Sequence, residues 1–383
     1  MEFDLSWLLL GLPAAFALGW MASRLDFRQL RIENRLAPKS YFKGLNFLLN
    51  EQQDEAIDAF IEAVQIDPDT SELHFALGNL FRRRGEYERA VRVHEHLLER
   101  SDLSQADQHR AQHALALDFL KAGLLDRAEV ALQKLDCTAF EARSRLALLA
   151  IYERSRDWSK ASAIAEKLQS SGQGDFSGRL SHYFCEQAQQ ATTPAEPIAL
   201  ARTRDLLQQA LETAPAAPRP RLALASLMRA QGDNNAAFDT LLALSEAAPA
   251  AMPLVAAELV QTAQATRREA QALQVLQASY RQIASLDVLD AIAALSSTHE
   301  GAQAYLLHLQ REASLVAAVA CIERDPTLMN HLPAPVLRAL AHAVKPLKRY
   351  RCAACGFEAQ QHFWQCPGCQ AWDSYPARRV EEL

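Results

Sequence analysis

The sequence predicts an all-α fold: an N-terminal transmembrane helix, a solenoid of short helical hairpins, and a small C-terminal knuckle closed by a metal. Three observations predict it. Apolar residues make up 49% of the chain but aromatic ones only 7%, and the load falls on Ala and Leu, which lose little side-chain freedom in a helix. A helical signature recurs at fixed spacing along the chain, the mark of a repeat architecture. Four of the seven cysteines stand in two close pairs near the C-terminus, which is metal-ligand spacing.

The N-terminal helix is read from charge. Between Asp4 and Arg24 no side chain ionises, and Leu5 to Ser23 is apolar apart from two serines. At about 1.5 Å per residue this stretch reaches roughly 28 Å, close to the hydrocarbon thickness of a bilayer. Trp7 and Trp20 stand near its ends, where indoles favour the membrane interface. Arg24, Arg28, Arg31, Arg35, Lys39 and Lys43 follow the segment, while only Glu2 and Asp4 precede it. Positive charge stays on the cytoplasmic side, so the N-terminus is expected outside and the body inside. A cleaved signal peptide would need a basic leader, which is lacking here. Residues 1–24 are therefore the expected anchor and 25–36 a linker, either lying along an anionic leaflet or simply solvated.

The array is read from spacing. Gly44, Phe47, Ala56, Phe60, Ala63 and Pro68 stand at the spacings of a helical-hairpin repeat, and 34 residues on Gly78, Phe81 and Ala90 repeat the first three; these are tetratricopeptide positions. Small residues on the two helices of a hairpin are expected to face each other, Gly44 against Ala56 and Gly78 against Ala90, so that the helices can approach closely. Gly85-Glu86-Tyr87 supplies the turn. Later units read Leu115, Ala116, Phe119 and Ala128, then Leu148, Tyr152 and Ala161, then Leu207 and Ala210 after an interruption at Ala191 to Pro197, then Leu224, Ala225, Met228, Ala237 and Leu241. About six repeats are expected over residues 37–251. Residues 252–345 keep helical spacing without the signature and are expected to be degenerate repeats or a cap. Signature residues are consumed by packing, so binding is expected on the concave face, with Tyr41, His74, Arg82 and His113 as candidates by spacing. His94, His96, His109 and His113 cluster in sequence but lack a cysteine or a further histidine to complete a metal set.

Residues 346–383 carry the clearest chemistry. Cys352 and Cys355 form one C-x-x-C pair, ten residues intervene, and Cys366 and Cys369 form a second. Two such turns can surround one metal tetrahedrally with four thiolates. That leaves no open coordination position, so the metal is structural, iron or zinc. Phe357, Phe363, Trp364 and Trp372 are expected to cover the knuckles. Cys137, Cys185 and Cys321 are scattered through helical sequence and read as small buried apolar residues. Net charge is -6, without the basic balance of a nucleic-acid binder. No nucleophile-base pair, phosphate loop or open metal site points to an enzyme. The residues therefore describe a membrane-bound scaffold, with a nucleic-acid-binding zinc ribbon as the remote alternative.

The anchor, the repeats, and Cys352-Ala-Ala-Cys355-Gly356-Phe357 with Cys366-Pro367-Gly368-Cys369, in that order, resemble the lipopolysaccharide assembly protein B family over essentially the whole length. Gln370 departs, standing where rubredoxin knuckles have Gly. The resemblance implies a rubredoxin-like terminal module and a place in the bacterial inner membrane. It also implies an adaptor role, in which the membrane protease FtsH is helped to degrade the deacetylase LpxC, alongside other lipopolysaccharide-synthesis or transport partners.

Overall fold

A computed structural model describes residues 15–21, 39–67, 69–191 and 197–383. The chain divides into two compact units, Met1–Ile151 and Tyr152–Leu383. In the first lie α1 (15–21), α2 (Lys39–Leu49), α3 (Gln53–Ile66), α4 (Ser71–Arg84), α5 (Tyr87–Glu99), α6 (Gln105–Ala122) and α7 (Leu125–Gln133). The unit boundary falls within α8 (Glu141–Ser155). The second unit continues with α9 (Trp158–Ser170), α10 (Ser177–Ala191), α11 (Pro197–Thr213), α12 (Pro218–Ala230), α13 (Asn234–Ala247), α14 (Met252–Thr266) and α15 (Glu269–Gln282). Shorter helices follow: α16 (Leu286–Leu295), α17 (Thr298–Leu309), α18 (Leu315–Arg324), α19 (Pro326–His331) and α20 (Ala334–Val344). A two-stranded sheet, β1 (Tyr350–Arg351) with β2 (Glu358–Ala359), ends the fold.

Helix α1 exposes Phe16, Leu18, Trp20 and Met21. Among the described residues no helix is long and apolar enough to cross a membrane. The rest of the expected anchor and the whole linker, residues 1–14 and 22–36, lie outside the described residues, as do Pro68 and the interruption at 192–196.

The repeat signature is core. Ala56, Phe60, Ala63, Phe81 and Ala90 cluster with Leu73, Leu77 and Leu80 in the first unit. One expectation is corrected. A Cβ on Gly44 would meet the Phe60 ring at 2.9 Å, and one on Gly78 would meet His94 Nε2 at 2.5 Å. The glycines thus receive large rings from the second helix, not the alanines, which pack fully buried elsewhere in the same cluster. Gly85 closes α4 with φ 87°, and the Gly85 and Glu86 amides bond back to Arg82 and Phe81 carbonyls. A left-handed residue there lets the next helix turn back at once.

In the second unit Ala225, Ala237 and Leu241 join Leu259 and Leu276 in one core. The helical pair α14 and α15 therefore extends the packing of the repeats although its signature has decayed. Helices α16 to α18 gather around a separate core of Leu289, Tyr305 and Val316, to which α20 contributes Val344.

Candidate metal centre

The knuckle is built by two turns of the same design. Cys352 N–H donates to Phe357 O (2.9 Å) and Gly356 N–H to Cys352 O (2.9 Å). In the second turn Cys366 N–H donates to Ala371 O (2.9 Å) and Gln370 N–H to Cys366 O (2.8 Å). Gly356 and Gln370 occupy equivalent places with φ 77° and 61°. The sheet pairs Tyr350 with Ala359 and Arg351 with Glu358, and a bridge joins Gln365 to Trp372. These pairings bring the two turns together at their sulfurs.

Cys352 Sγ lies 3.8 Å from Cys369 Sγ, and Cys355 Sγ 3.7 Å from Cys366 Sγ. All four ligand atoms fall within 4.8 Å of one another. A tetrahedron with metal–sulfur bonds of about 2.3 Å sets its sulfurs about 3.8 Å apart, so the four cysteines fit one structural metal ion. The contacts are far beyond the ~2.05 Å of a disulfide. Such a centre would join the two turns covalently through the ion, which a segment this small needs in order to fold.

The electrostatics suit a cation. Burial pushes the Cys352 thiol up, but the Ser374 hydroxyl and the Cys355 and Ala354 amides outweigh it and hold Cys352 down at about 6. The Phe357 amide lowers Cys355, yet lost solvation and the thiols of Cys369, Cys352 and Cys366 win and push it up to about 12. Crowded thiolates repel one another, and a divalent ion relieves that repulsion. Cys352 and Cys366 are buried, whereas Cys355 and Cys369 are exposed.

The aromatic residues divide their work. Phe363 packs on Tyr375 beside the buried cysteines, and Phe357 lies against Gly368 but stays 44% exposed. The two tryptophans, expected as lids, instead dock the knuckle on the helices of the second unit. Trp372 stacks on His182 of α10 (4.7 Å, 18°) and meets Trp158 and Tyr183 edge-on at 5.9 Å. Its Nε1–H donates to Glu153 Oε1 (3.1 Å). Trp364 sits 6.0 Å from His182.

A polar chain runs beneath that stack. His182 Nε2–H donates to the Asp373 carboxylate at 2.9 Å. The buried Arg219 of α12 donates to His182 Nδ1 (3.3 Å) and to Glu186 (2.6 Å). Leu254 of α14 also touches the knuckle core. Sequence reasoning missed Asp373, His182 and Arg219, because the pairing spans 191 positions and no local spacing announces it.

The groove candidates are mostly spent on packing. Tyr41 meets Phe60 edge-on at 5.9 Å. Arg82 donates to Asp118 Oδ1 (2.8 Å), and His94 to Asp118 Oδ2 (2.5 Å), with His94 and Asp118 fully buried. His74 stacks on His96, and His113 stacks on Phe140. Among the described residues no ligand group of three includes His94, His96, His109 or His113.

Residues 350–375 match the family model described as rubredoxin metal binding domain, and 73–108 match tetratricopeptide repeat. The chain is 31% identical to lipopolysaccharide assembly protein B of Escherichia coli strain K12, covering 98% of this chain and 99% of that one. It is 28% identical to the protein of the same name from Haemophilus influenzae, over 96% of each. A tetratricopeptide repeat protein from Parabacteroides merdae is 12% identical and covers 68% of this chain and 99% of that one, at a TM-score of 0.34.

Proposed function

Since this chain belongs to the lipopolysaccharide assembly protein B family, we propose that it serves lipopolysaccharide assembly as a non-enzymatic, protein-binding scaffold. Residues 1–24 anchor it in the inner membrane, 25–36 form the linker, 37–251 the repeats, 252–345 the helical cap and 346–383 the metal module. The N-terminus faces the periplasm and the body the cytoplasm. As an adaptor it brings LpxC to FtsH for degradation. The observation that carries this reading is end-to-end likeness, 98% of the chain, rather than likeness of one module. Repeats of this kind occur with many functions, whereas a family relation over the whole length keeps the modules in register with those of the relatives. Depletion of the protein should leave LpxC long-lived and lipopolysaccharide in excess. An unchanged LpxC half-life would reject the adaptor role.

Cys352, Cys355, Cys366 and Cys369 are the proposed ligands of one iron or zinc ion. Purified protein should hold one metal per chain. Cys366→Ser should lower that content and open residues 350–383 to proteases. Full metal content in this variant would show that the cysteines are not the ligands.

A further inference from the structure

A cavity of about 390 Å³ opens between α10, α11 and α12 of the second unit, and Trp364 of the knuckle forms part of its wall. Leu207, Leu222 and Leu227 give it an apolar lining, with Gln189, Thr203, Ser226 and Arg219 as polar members. The volume lies in the range of sites that take a small ligand or a few side chains. The charge in its wall is already compensated. Arg219 is held by Glu186 and His182, and Ser226 donates to Glu258 (2.8 Å). A charged group entering here would lose water and find no free counter-ion, so its entry is disfavoured. A neutral apolar group would lose nothing of the kind. Arg219 has five N–H donors, of which these contacts use two, so it can still donate to a backbone carbonyl while its charge stays balanced.

The knuckle reaches this cavity twice. Trp364 lines it directly, two residues before Cys366. Asp373 fixes His182, which in turn accepts from Arg219. A folded knuckle therefore completes the wall and steadies one of the two partners that hold Arg219, the cation among the described lining residues.

We propose that this cavity is a binding pocket for the apolar side chains of a neutral, extended peptide segment on a partner protein, complete only while the metal module is folded and docked. The proposal rests on the scaffold reading above and adds which surface binds and what it binds. It makes the metal an indirect part of recognition: the ion stays outside the pocket but holds the tryptophan in its wall and, through Asp373, the histidine beside Arg219.

Saturation-transfer NMR on the full chain in lipid nanodiscs, with empty nanodiscs as the control, tests it. The probe is the blocked peptide acetyl-Ser-Leu-Leu-Ser-amide, compared with peptides carrying Asp or Lys in place of both leucines. The leucine peptide should receive saturation above the control, and each charged peptide should bind about tenfold more weakly. Removing the metal with a chelator, or Trp364→Ala, should weaken binding about tenfold. Ser226→Trp fills the cavity from the helical side, and should abolish binding while the chain still holds its metal. The proposal is overturned if the metal-loaded Ser226→Trp chain binds as well as the native one, if a charged peptide binds as tightly, or if signal equals that of empty nanodiscs. Loss of this pocket with LpxC turnover still controlled would sink the pocket alone. Unchanged LpxC turnover after depletion would sink the adaptor role and leave the pocket standing.

Discussion

Gln370 shows how far a single position can be read. Its place after the second cysteine pair marks it as the counterpart of Gly356, and the structure gives both the same left-handed backbone. A side chain in that conformation costs roughly 1 kcal/mol that glycine avoids. Gln370→Gly should therefore tighten the module by about 0.5–1 kcal/mol, allowing for the extra freedom of glycine in the unfolded chain. Chelator competition should show the variant surrendering its metal more slowly, and faster loss would contradict the account. The histidines were less legible. His94 reads as a surface or groove residue in a charged stretch, yet it is fully buried because Asp118, 24 positions away, takes its proton donor. His74 and His113 carry a pH signature instead. Burial is the main cause that lowers both below the ordinary 6.5, helped by the Arg100 cation at His74 and by Arg143 and Arg82 at His113. Below that pH the unfolded chain takes up protons that the folded chain refuses. Their contribution is thus complete above about pH 6.5 and is lost as pH falls through the lowered folded values. Thermal unfolding between pH 7.5 and 5.5 should show less loss for His113→Phe, which keeps the stack on Phe140, than for the native chain.

At the scale of elements, short-range order carried the reading and long-range order escaped it. Helical hairpins follow from residues a few turns apart, so Phe60, Ala90 and Gly85 could be placed by spacing alone. Which residue fills the glycine notch could not, since that depends on helix rotation: Phe60 and His94 fill it. The C-terminal tail is the clearest case of long-range order. Glu381 accepts the Leu315 amide (2.6 Å), the Val316 amide (3.1 Å) and the Ser314 hydroxyl (2.6 Å), capping α18. Glu382 accepts the Leu286 amide (2.7 Å) at the start of α16. A few positions earlier Arg379 grips Asp287 with two bonds and lies 4.1 Å from the Tyr350 ring. The two carboxylates satisfy orphan amides that helix starts leave open, and their charge suits the positive end of each helix dipole. Deleting residues 381–383 should cost about 1 kcal/mol at each helix start. Exchange of the Leu286, Leu315 and Val316 amides should then speed roughly fivefold, while α12 and α13 stay as protected as before. Uniform loss of protection would mean that the tail supports the whole unit instead.

For the whole molecule, the repeats and the knuckle after them were legible because each has its own spacing: a 34-residue repeat and paired cysteines. Their attachment was not, because Trp372, Asp373 and Arg379 act on partners far along the chain. The proposed anchor has a function that its fold does not require. The described part of this segment, residues 15–21, is exposed, so deleting residues 1–24 should leave helical content, metal content and the docked knuckle intact. What changes is where the scaffold resides. Holding a binding surface beside a membrane protease makes the meeting of substrate and protease local, and can raise apparent affinity ~100-fold without any new contact. A chain lacking residues 1–24, expressed at the native level, should therefore lengthen LpxC half-life towards that of depleted cells while still binding its partners in solution. Replacing the segment with an unrelated transmembrane helix of the same orientation should restore control if tethering is all the anchor supplies. Restoration by the soluble chain alone would show that the membrane is dispensable. Failure of the foreign helix would instead show that residues 1–24 themselves contact a partner, since effective concentration depends on the tether and not on its sequence.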